Sequence, residues 1–162
     1  MKLLVVCLGN ICRSPMGEGA LRARIEGSPL AGKVVVDSAG TSGWHQGHAP
    51  DPRAVACARR HGVDISGLRA RQLQPADFLD FDHVLCADVS NLDDAMAMAP
   101  AEARDRPVLW LPWAGIAGAT AVPDPYYGGD ADFERSWALL DAAAEATVRR
   151  LSAQMQSGII GA

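Results

Sequence analysis

The feature that most constrains this chain is a short loop between an apolar run and a stretch compatible with a helix. The apolar run covers residues 3–6, and Cys-Leu-Gly-Asn-Ile-Cys-Arg-Ser follows at residues 7–14. The thiol of Cys7 and the guanidinium of Arg13 face the same point only if the chain between them curls. The Gly-Asn pair between them tolerates the left-handed backbone that such a curl needs. We therefore predict a concave loop.

This loop has the chemistry of an anion site that contains a nucleophile. Pro15 suits the first turn of a helix, so the loop would lie at a helix N-terminus, where free N–H groups and the helix dipole favour a dianion such as phosphate. The same field favours a thiolate at Cys7. Arg13 offers a planar fork for two phosphoryl oxygens. The alternative is a buried cysteine at a strand end beside a surface arginine.

A second motif, Asp-Pro-Tyr-Tyr-Gly at residues 124–128, supplies a candidate acid. We predict that residues 112–130 are irregular and that the flanking prolines stiffen the backbone at Asp124. A phosphate ester leaves easily when a positioned carboxyl protonates its bridging oxygen. Tyr126 and Tyr127 are the two tyrosines of the chain. Adjacent aromatics on a loop indicate a binding wall, and the alternative is a turn with one packed aromatic.

These motifs resemble those of the low-molecular-weight protein tyrosine phosphatases, in the bacterial form. The similarity covers nearly the whole chain, at residues 7–15, 36–43, 60–63, 82–86, 90–92 and 124–128. It implies hydrolysis of protein phosphotyrosine through a phosphocysteine intermediate, without a cofactor. In this scheme Cys7 is the nucleophile, Arg13 binds the phosphoryl group and Asp124 is the general acid and base.

The resemblance also implies a deep slot for an aryl phosphate. The residues expected to bind substrate are Leu8, Gly9, Asn10, Ile11, Cys12, Ser14, Trp44, Tyr126 and Tyr127. Those expected to support the loop through hydrogen bonds are Asn10, Ser14 and Ser38. Ser14 would either donate to the Cys7 sulfur or cap the helix. Ile11 stands where related arginine phosphatases carry Thr, and Gly67 stands where many members carry a His that joins this network.

The other cysteines and the histidines lead to weaker predictions. Cys12 is either a passive buried thiol or the partner of Cys7 in a reversible, protective disulfide. Cys57 and Cys86 are expected to be packing residues, and the four cysteines contain no CxxC pair of the kind that zinc sites use. The histidines show no cysteine or carboxylate ligand pattern, so we expect surface or packing roles and no metal at His45, His48, His61 and His83.

Two other classes of protein share part of this pattern. Arsenate reductases have the same fold and cysteine loop but need two further cysteines. Here only Cys86 is near the right region, and the position seven residues later is Asp93. A noncatalytic phosphate- or phosphopeptide-binding module is the second alternative. It would not need Cys7, Arg13 and Asp124 together.

Composition sets the broad class. The chain has 162 residues, 49% hydrophobic and 21% charged, which is typical of one globular domain over residues 1–162, with residues 158–162 as a frayed tail. A net charge of −4 argues against nucleic-acid binding. The N-terminal apolar run is too short for a membrane span and lacks a signal-peptide pattern, so we expect a cytoplasmic protein without a membrane partner.

The expected partner is a phosphotyrosine protein, and family analogy suggests an autophosphorylating tyrosine kinase. Phosphate and other oxyanions are expected to compete with it.

Strand and helix patterns alternate along the chain. Strands are predicted near residues 2–7, 33–37, 82–87 and 107–111, and helices near 15–26, 52–61 and 89–98 and at the C-terminus. This order favours an α/β fold, a three-layer αβα sandwich with a four-stranded parallel sheet in the order 2-1-3-4. The cysteine loop would follow strand one, beside the point where ligands bind in open α/β sheets.

Overall fold

A parallel four-stranded sheet in the order β2-β1-β3-β4 forms the centre of the structure, a computed structural model that describes residues 1–158. Helices pack on both faces of this sheet. The strands are β1 (Lys2–Cys7), β2 (Val35–Gly40), β3 (His83–Cys86) and β4 (Pro107–Leu109). The helices are α1 (Arg13–Glu26), α2 (Pro52–Arg60), α3 (Asp77–Asp80), α4 (Val89–Met98), α5 (Trp110–Ala114) and α6 (Asp130–Gln156), with one turn of 3-10 helix at Ala101–Ala103.

Strand β1 divides the core because its side chains alternate between the two faces of the sheet. Leu3 and Val5 belong to the larger cluster, with buried residues of α1, α2 and α6. Leu4 and Val6 belong to the smaller cluster, with buried residues of α3 and α4. All four side chains are fully buried. Their burial fixes the register of β1, and with it the place where Cys7 leaves the sheet.

Local sequence signals explain where the helices near the site begin and end. The Asp51 carboxylate accepts from the Arg53 N–H and caps α2, which starts at Pro52. Asp88 and Asn91 form a reciprocal capping box at the start of α4. Gly115, with φ of 87°, ends α5 in the left-handed conformation. Within residues 1–158, no helix is long and apolar enough to cross a membrane.

The predicted fold class and strand order are confirmed, and the differences lie at the ends of elements. Strand β2 runs from 35 to 40 rather than 33 to 37, because it continues along β1 until Gly40 pairs with Cys7. The prediction of an irregular stretch from residue 112 is wrong for residues 112–114, which belong to α5; Pro112 is tolerated in the first turn of that helix. A frayed tail is predicted at residues 158–162, and residues 159–162 of this prediction lie outside the described residues.

Candidate active site

The loop of residues 8–12 joins β1 to α1 and has the predicted curl. Asn10 has the left-handed backbone, with φ of 56°. The same prediction for Gly9 is wrong, since its φ is not positive. Gly9 is small for a different reason: a Cβ there would lie 3.0 Å from Cδ2 of His45.

Backbone hydrogen bonds hold this loop against the neighbouring segment. The carbonyl oxygens of Cys7 and Leu8 accept from the N–H groups of Thr41 and Ser42, each at 2.9 Å. The carbonyl oxygen of Ile11 accepts from the Asp51 N–H at 2.8 Å. The loop is therefore anchored through its carbonyl oxygens, and its own N–H groups take no part in these bonds.

The Cys7 sulfur lies within reach of two donors from one residue. The Ser14 hydroxyl oxygen is 3.0 Å from Sγ, and the Ser14 N–H donates to Sγ at 3.4 Å. Ser14 lies inside α1, and Cys12 occupies the capping position. The structure therefore excludes the helix-cap role for Ser14 and puts its hydroxyl against the sulfur.

The Asn10 side chain connects the loop to three other segments of the chain. Its side-chain amide donates to the hydroxyls of Ser14 at 2.7 Å and Ser38 at 3.0 Å. Its carbonyl oxygen accepts from the Arg71 N–H at 3.0 Å. Since the Ser14 oxygen already accepts from Asn10, its own proton is free to point at Cys7. Asn10, Ser14 and Ser38 thus form one buried network, as expected for supports of the loop.

This network continues to a buried carboxylate. The Ser38 hydroxyl donates to Glu18 Oε1 at 2.6 Å, and Glu18 Oε2 lies 2.6 Å from the Arg22 guanidinium. Burial raises the pKa of Glu18, and only part of this effect is offset by Ser38 and Arg22. Gly67, which we predict to stand at the position of the family His, has no side chain to join the network. Glu18 and Arg22 form its outer end.

Arg13 is anchored on one side and presented to the cleft on the other. Its Nη1 donates to Asp88 Oδ2 at 2.6 Å and to the Val122 carbonyl at 3.0 Å. Its Nη2 lies 3.6 Å from Asp124 Oδ2. Burial by itself lowers the pKa of Arg13, but Cys7 and the two carboxylates outweigh it and raise the pKa above its ordinary value.

The segment that carries Asp124 is held from two helices. Asp124 Oδ1 accepts from the Tyr126 N–H at 3.1 Å, and the Ser136 hydroxyl of α6 donates to the Pro123 carbonyl at 2.8 Å. Arg53 of α2 donates to the carbonyl oxygens of Tyr126 at 2.9 Å and Gly128 at 3.2 Å. The carboxyl is thereby aimed at the loop even though its backbone is irregular.

One cleft brings the two motifs together. It has a volume of about 530 Å³, including space open to solvent. Its lining residues are Cys7, Leu8, Gly9, Ile11, Cys12, Arg13, Trp44, His45, Asp124, Tyr126 and Tyr127. Trp44 and Tyr127 are 74% and 96% exposed, so their rings stand at the mouth rather than in the core. Asn10 and Ser14 are not among the residues that line the cleft, so their part in binding substrate remains a prediction.

The four cysteines are free thiols. Cys12 lines the cleft with Cys7, and burial, followed by the charge of Asp51, raises the pKa of Cys12 far above its ordinary value. The protective disulfide with Cys7 remains a prediction. Cys86 is fully buried in β3, where burial raises its pKa to about 12, and Asp93 is exposed on α4. The cysteine relay of an arsenate reductase therefore has no counterpart at these two positions.

Comparison with known proteins agrees with this geometry. The family model described as low molecular weight phosphotyrosine protein phosphatase matches residues 2–157. This chain belongs to that family. It is 39% identical over 158 residues to the low molecular weight protein-tyrosine-phosphatase of Streptomyces coelicolor, covering 96% of this chain and 96% of the relative.

Solved structures show the same fold. The protein tyrosine phosphatase from Entamoeba histolytica, crystallised with Hepes in its active site, has a TM-score of 0.91 at 33% identity and covers 96% of this chain and 99% of its own. The tyrosine phosphatase Wzb from Escherichia coli K30, in complex with sulphate, has a TM-score of 0.81 at 32% identity. The match covers 93% of this chain and 97% of the Wzb chain. The chain is thus an enzyme of the protein-tyrosine-phosphatase class, which decides against both alternative classes.

Besides Glu18 and Arg22 behind the loop, sequence reasoning missed three residues around the cleft. Asp88 anchors Arg13, Arg53 holds the segment of Asp124, and His45 lines the cleft. Asp88 had a signal in the sequence, because Asp-x-x-Asn after a strand is typical of a helix start. His45 and Arg53 had none, since their roles depend on contacts between distant parts of the chain.

Proposed function

We propose that this phosphatase hydrolyses phosphotyrosine in proteins through a phosphocysteine intermediate. Cys7 is the nucleophile, Arg13 binds the phosphoryl group, and Asp124 is first the general acid and then the general base. The observation that carries this proposal is that all three residues line one cleft, although Asp124 is more than a hundred positions from the loop. An anion-binding residue, a nucleophile and an acid in one cleft are the parts that phosphomonoester hydrolysis needs.

The first step transfers the phosphoryl group to sulfur. The Cys7 thiolate attacks phosphorus, the bond to the phenolic oxygen breaks, and Asp124 gives its proton to that oxygen. The Nη2 edge of Arg13 faces the cleft, because Asp88 and Val122 occupy Nη1. This edge binds the equatorial oxygens of the phosphoryl group, which share the negative charge in the transition state.

The second step returns the enzyme to its starting state. Asp124, now a carboxylate, takes a proton from water, and the oxygen of that water attacks phosphorus while the phosphorus–sulfur bond breaks. The Ser14 hydroxyl, 3.0 Å from Sγ, donates to the departing thiolate. Phosphate then leaves. A bound sulphate in Wzb supports the expectation that phosphate and similar oxyanions compete for this loop.

The walls of the cleft favour an aryl phosphate. Ile11, Trp44 and the edge-to-face pair Tyr126–Tyr127, with ring centres 4.9 Å apart, present apolar surface around the phosphate site. A phosphotyrosine side chain is long enough to reach the loop past this wall, and phosphoserine is not. We infer a phosphotyrosine protein as substrate, with an autophosphorylating tyrosine kinase as the candidate partner and the cytoplasm, which keeps cysteines reduced, as the compartment.

The role of Asp124 is tested by Asp124→Asn on a series of aryl phosphates. With phenyl phosphate, whose leaving group needs a proton, kcat/KM, which reports transfer of the phosphoryl group to Cys7, should fall by about 10²–10⁴-fold. With a nitrophenyl phosphate, which leaves without help, the loss should be much smaller. Asp130→Asn is the matched control, because Asp130 is an exposed acid at the start of α6. Equal rates for Asp124→Asn and the parent on phenyl phosphate would show that Asp124 is not the acid.

A further inference from the structure

A second group of reactive side chains lies outside the cleft, between α2 and α6. The thiol of Cys57 donates to Glu134 Oε1 over 3.6 Å, and His61 Nε2 lies 2.6 Å from Glu134 Oε2. One ligand atom from each residue, sulfur, nitrogen and oxygen, lies within 4.8 Å of the others. None of the three residues lines the catalytic cleft. The proposed phosphatase chemistry makes no use of them.

The positions of these side chains follow from the two helices. Cys57 and His61 are four residues apart, with His61 directly after the last residue of α2, so both project from one face. Glu134 lies near the start of α6, which packs against that face. The His61 ring stacks on Trp137 at 5.1 Å, which fixes its orientation. The prediction that the histidines show no cysteine or carboxylate ligand pattern is therefore wrong for His61, which lies with Cys57 and Glu134.

We propose that Cys57, His61 and Glu134 bind a zinc-class transition-metal ion. A thiolate, an imidazole and a carboxylate are three of the ligand types that Zn²⁺ uses, and three protein ligands leave a fourth tetrahedral position for water. Mg²⁺ and Ca²⁺ prefer oxygen ligands only and do not suit the sulfur. Cys57 is fully buried, whereas the side chains of His61 and Glu134 are 41% and 38% exposed, so an ion enters from the solvent side.

Arg60 competes with this ion for the same carboxylate. Its Nε lies 2.8 Å from Glu134 Oε1, the oxygen that also faces Cys57. In the arrangement described here, the guanidinium supplies the positive charge that an ion would bring. Metal binding displaces Arg60 toward solvent, where its side chain is already 45% exposed. It also transfers the thiol proton of Cys57 to the buffer as the sulfur–metal bond forms.

The consequence of binding is a cross-link between two helices that flank the Asp124 segment. Arg53, one turn before Cys57 on α2, donates to the carbonyl oxygens of Tyr126 and Gly128. Glu134 lies shortly after that segment, on α6. An ion held by both helices therefore stabilises the folded chain, as any ligand that binds only the native state does.

The test uses Cys7→Ser, Cys12→Ser protein, so that thiols of the cleft bind no metal. Titration with Co²⁺ should give one ion per chain and a thiolate-to-cobalt charge-transfer band. Competition with a chromophoric chelator then gives the Zn²⁺ affinity. Glu134→Gln and His61→Gln should each weaken it by at least about 10-fold. Cys57→Ser should abolish the charge-transfer band, while Cys86→Ser should retain it.

Arg60→Ala is the sharpest variant, because it should tighten Zn²⁺ binding by removing the competing cation. Arg59→Ala is its matched control, since Arg59 is exposed and lies 4.0 Å from Asp64 rather than at Glu134. If Cys57→Ser does not fold, the Zn²⁺ affinity of Glu134→Gln still tests the proposal, because Glu134 is partly exposed. A charge-transfer band that survives Cys57→Ser, or a Zn²⁺ affinity unchanged by Glu134→Gln, would overturn the proposal.

Discussion

At the scale of single residues, Arg13 illustrates how the site depends on partners that the loop itself does not contain. Its side chain is only 3% exposed, and an unpaired buried charge is costly. Asp88 and the Val122 carbonyl satisfy one edge of the guanidinium and leave the other for the cleft. A lysine has no second edge, so it would lose either the anchor or the phosphoryl contact.

The residues proposed to carry out the reaction could be identified from the sequence, but the residues that support them only in part. Cys7, Arg13 and Asp124 belong to motifs whose chemistry is local, and the cleft unites them. Glu18 was not expected in the site, because a lone glutamate in a helix is usually a solvated residue. Its role depends on Ser38, which reaches it from a neighbouring strand.

The buried Glu18 predicts a specific pH dependence of stability. Burial raises its pKa, so between the ordinary carboxyl pKa and the raised value the folded chain binds more protons than the unfolded chain. This contribution is therefore present at low pH and is lost as pH rises through that window. In urea unfolding, the parent should gain stability relative to Glu18→Gln when pH falls from about 7 to the ordinary carboxyl pKa of about 4.3.

The exposed Glu26, on the same helix, provides the control for that measurement. Glu26→Gln should follow the parent at both pH values, because an exposed carboxyl experiences little desolvation. A constant difference in unfolding midpoint between the parent and Glu18→Gln would refute the pH dependence.

At the scale of elements, periodic segments were predictable and short ones were not. Helix α6 repeats apolar residues at helical spacing, and β1 is an uninterrupted apolar run before a glycine loop. Helix α5 has five residues and contains Pro112, so no periodicity could reveal it. Strand β2 was predicted too short, because Ser38 reads as a loop residue although pairing with β1 buries it.

The junction of β2 with the cysteine loop predicts a strong effect of Gly40→Ala. A Cβ at Gly40 would lie 2.7 Å from the Leu8 carbonyl oxygen, 3.0 Å from Gly9 C and 3.1 Å from Asn10 N, all backbone atoms. The loop must shift to accept it. We expect a loss of about 1–3 kcal/mol in unfolding free energy and weaker phosphate binding, measured by urea denaturation and calorimetry.

Gly67→Ala is the matched control for Gly40→Ala. A Cβ there has no neighbour within 4 Å, and its backbone angle is not in the left-handed region. Its effect on stability should stay within about 0.5 kcal/mol. If Gly40→Ala changed stability and phosphate affinity as little as Gly67→Ala, the prediction that close packing at Gly40 holds the loop would be wrong.

At the scale of the whole molecule, the strand order explains where the chemistry lies. The central strand β1 has β2 on one side and β3 on the other, so the chain reverses its direction of winding at this strand. The loop that follows β1 therefore opens at the edge of the sheet where ligands bind in α/β folds. Ser38 of β2 binds Asn10 of this loop, Asp88 after β3 anchors Arg13, and α6 holds the Asp124 segment beside them.

The phosphoryl group on Cys7 provides the most direct test of this account. In the proposed mechanism, a nitrophenyl phosphate phosphorylates the enzyme without an acid, whereas Asp124→Asn slows the hydrolysis of the intermediate. That variant should therefore accumulate phosphocysteine. Rapid quenching and peptide mass spectrometry should find about one phosphoryl group per chain, on Cys7. Turnover with the phosphoryl group on another residue, or with no covalent intermediate, would contradict the account.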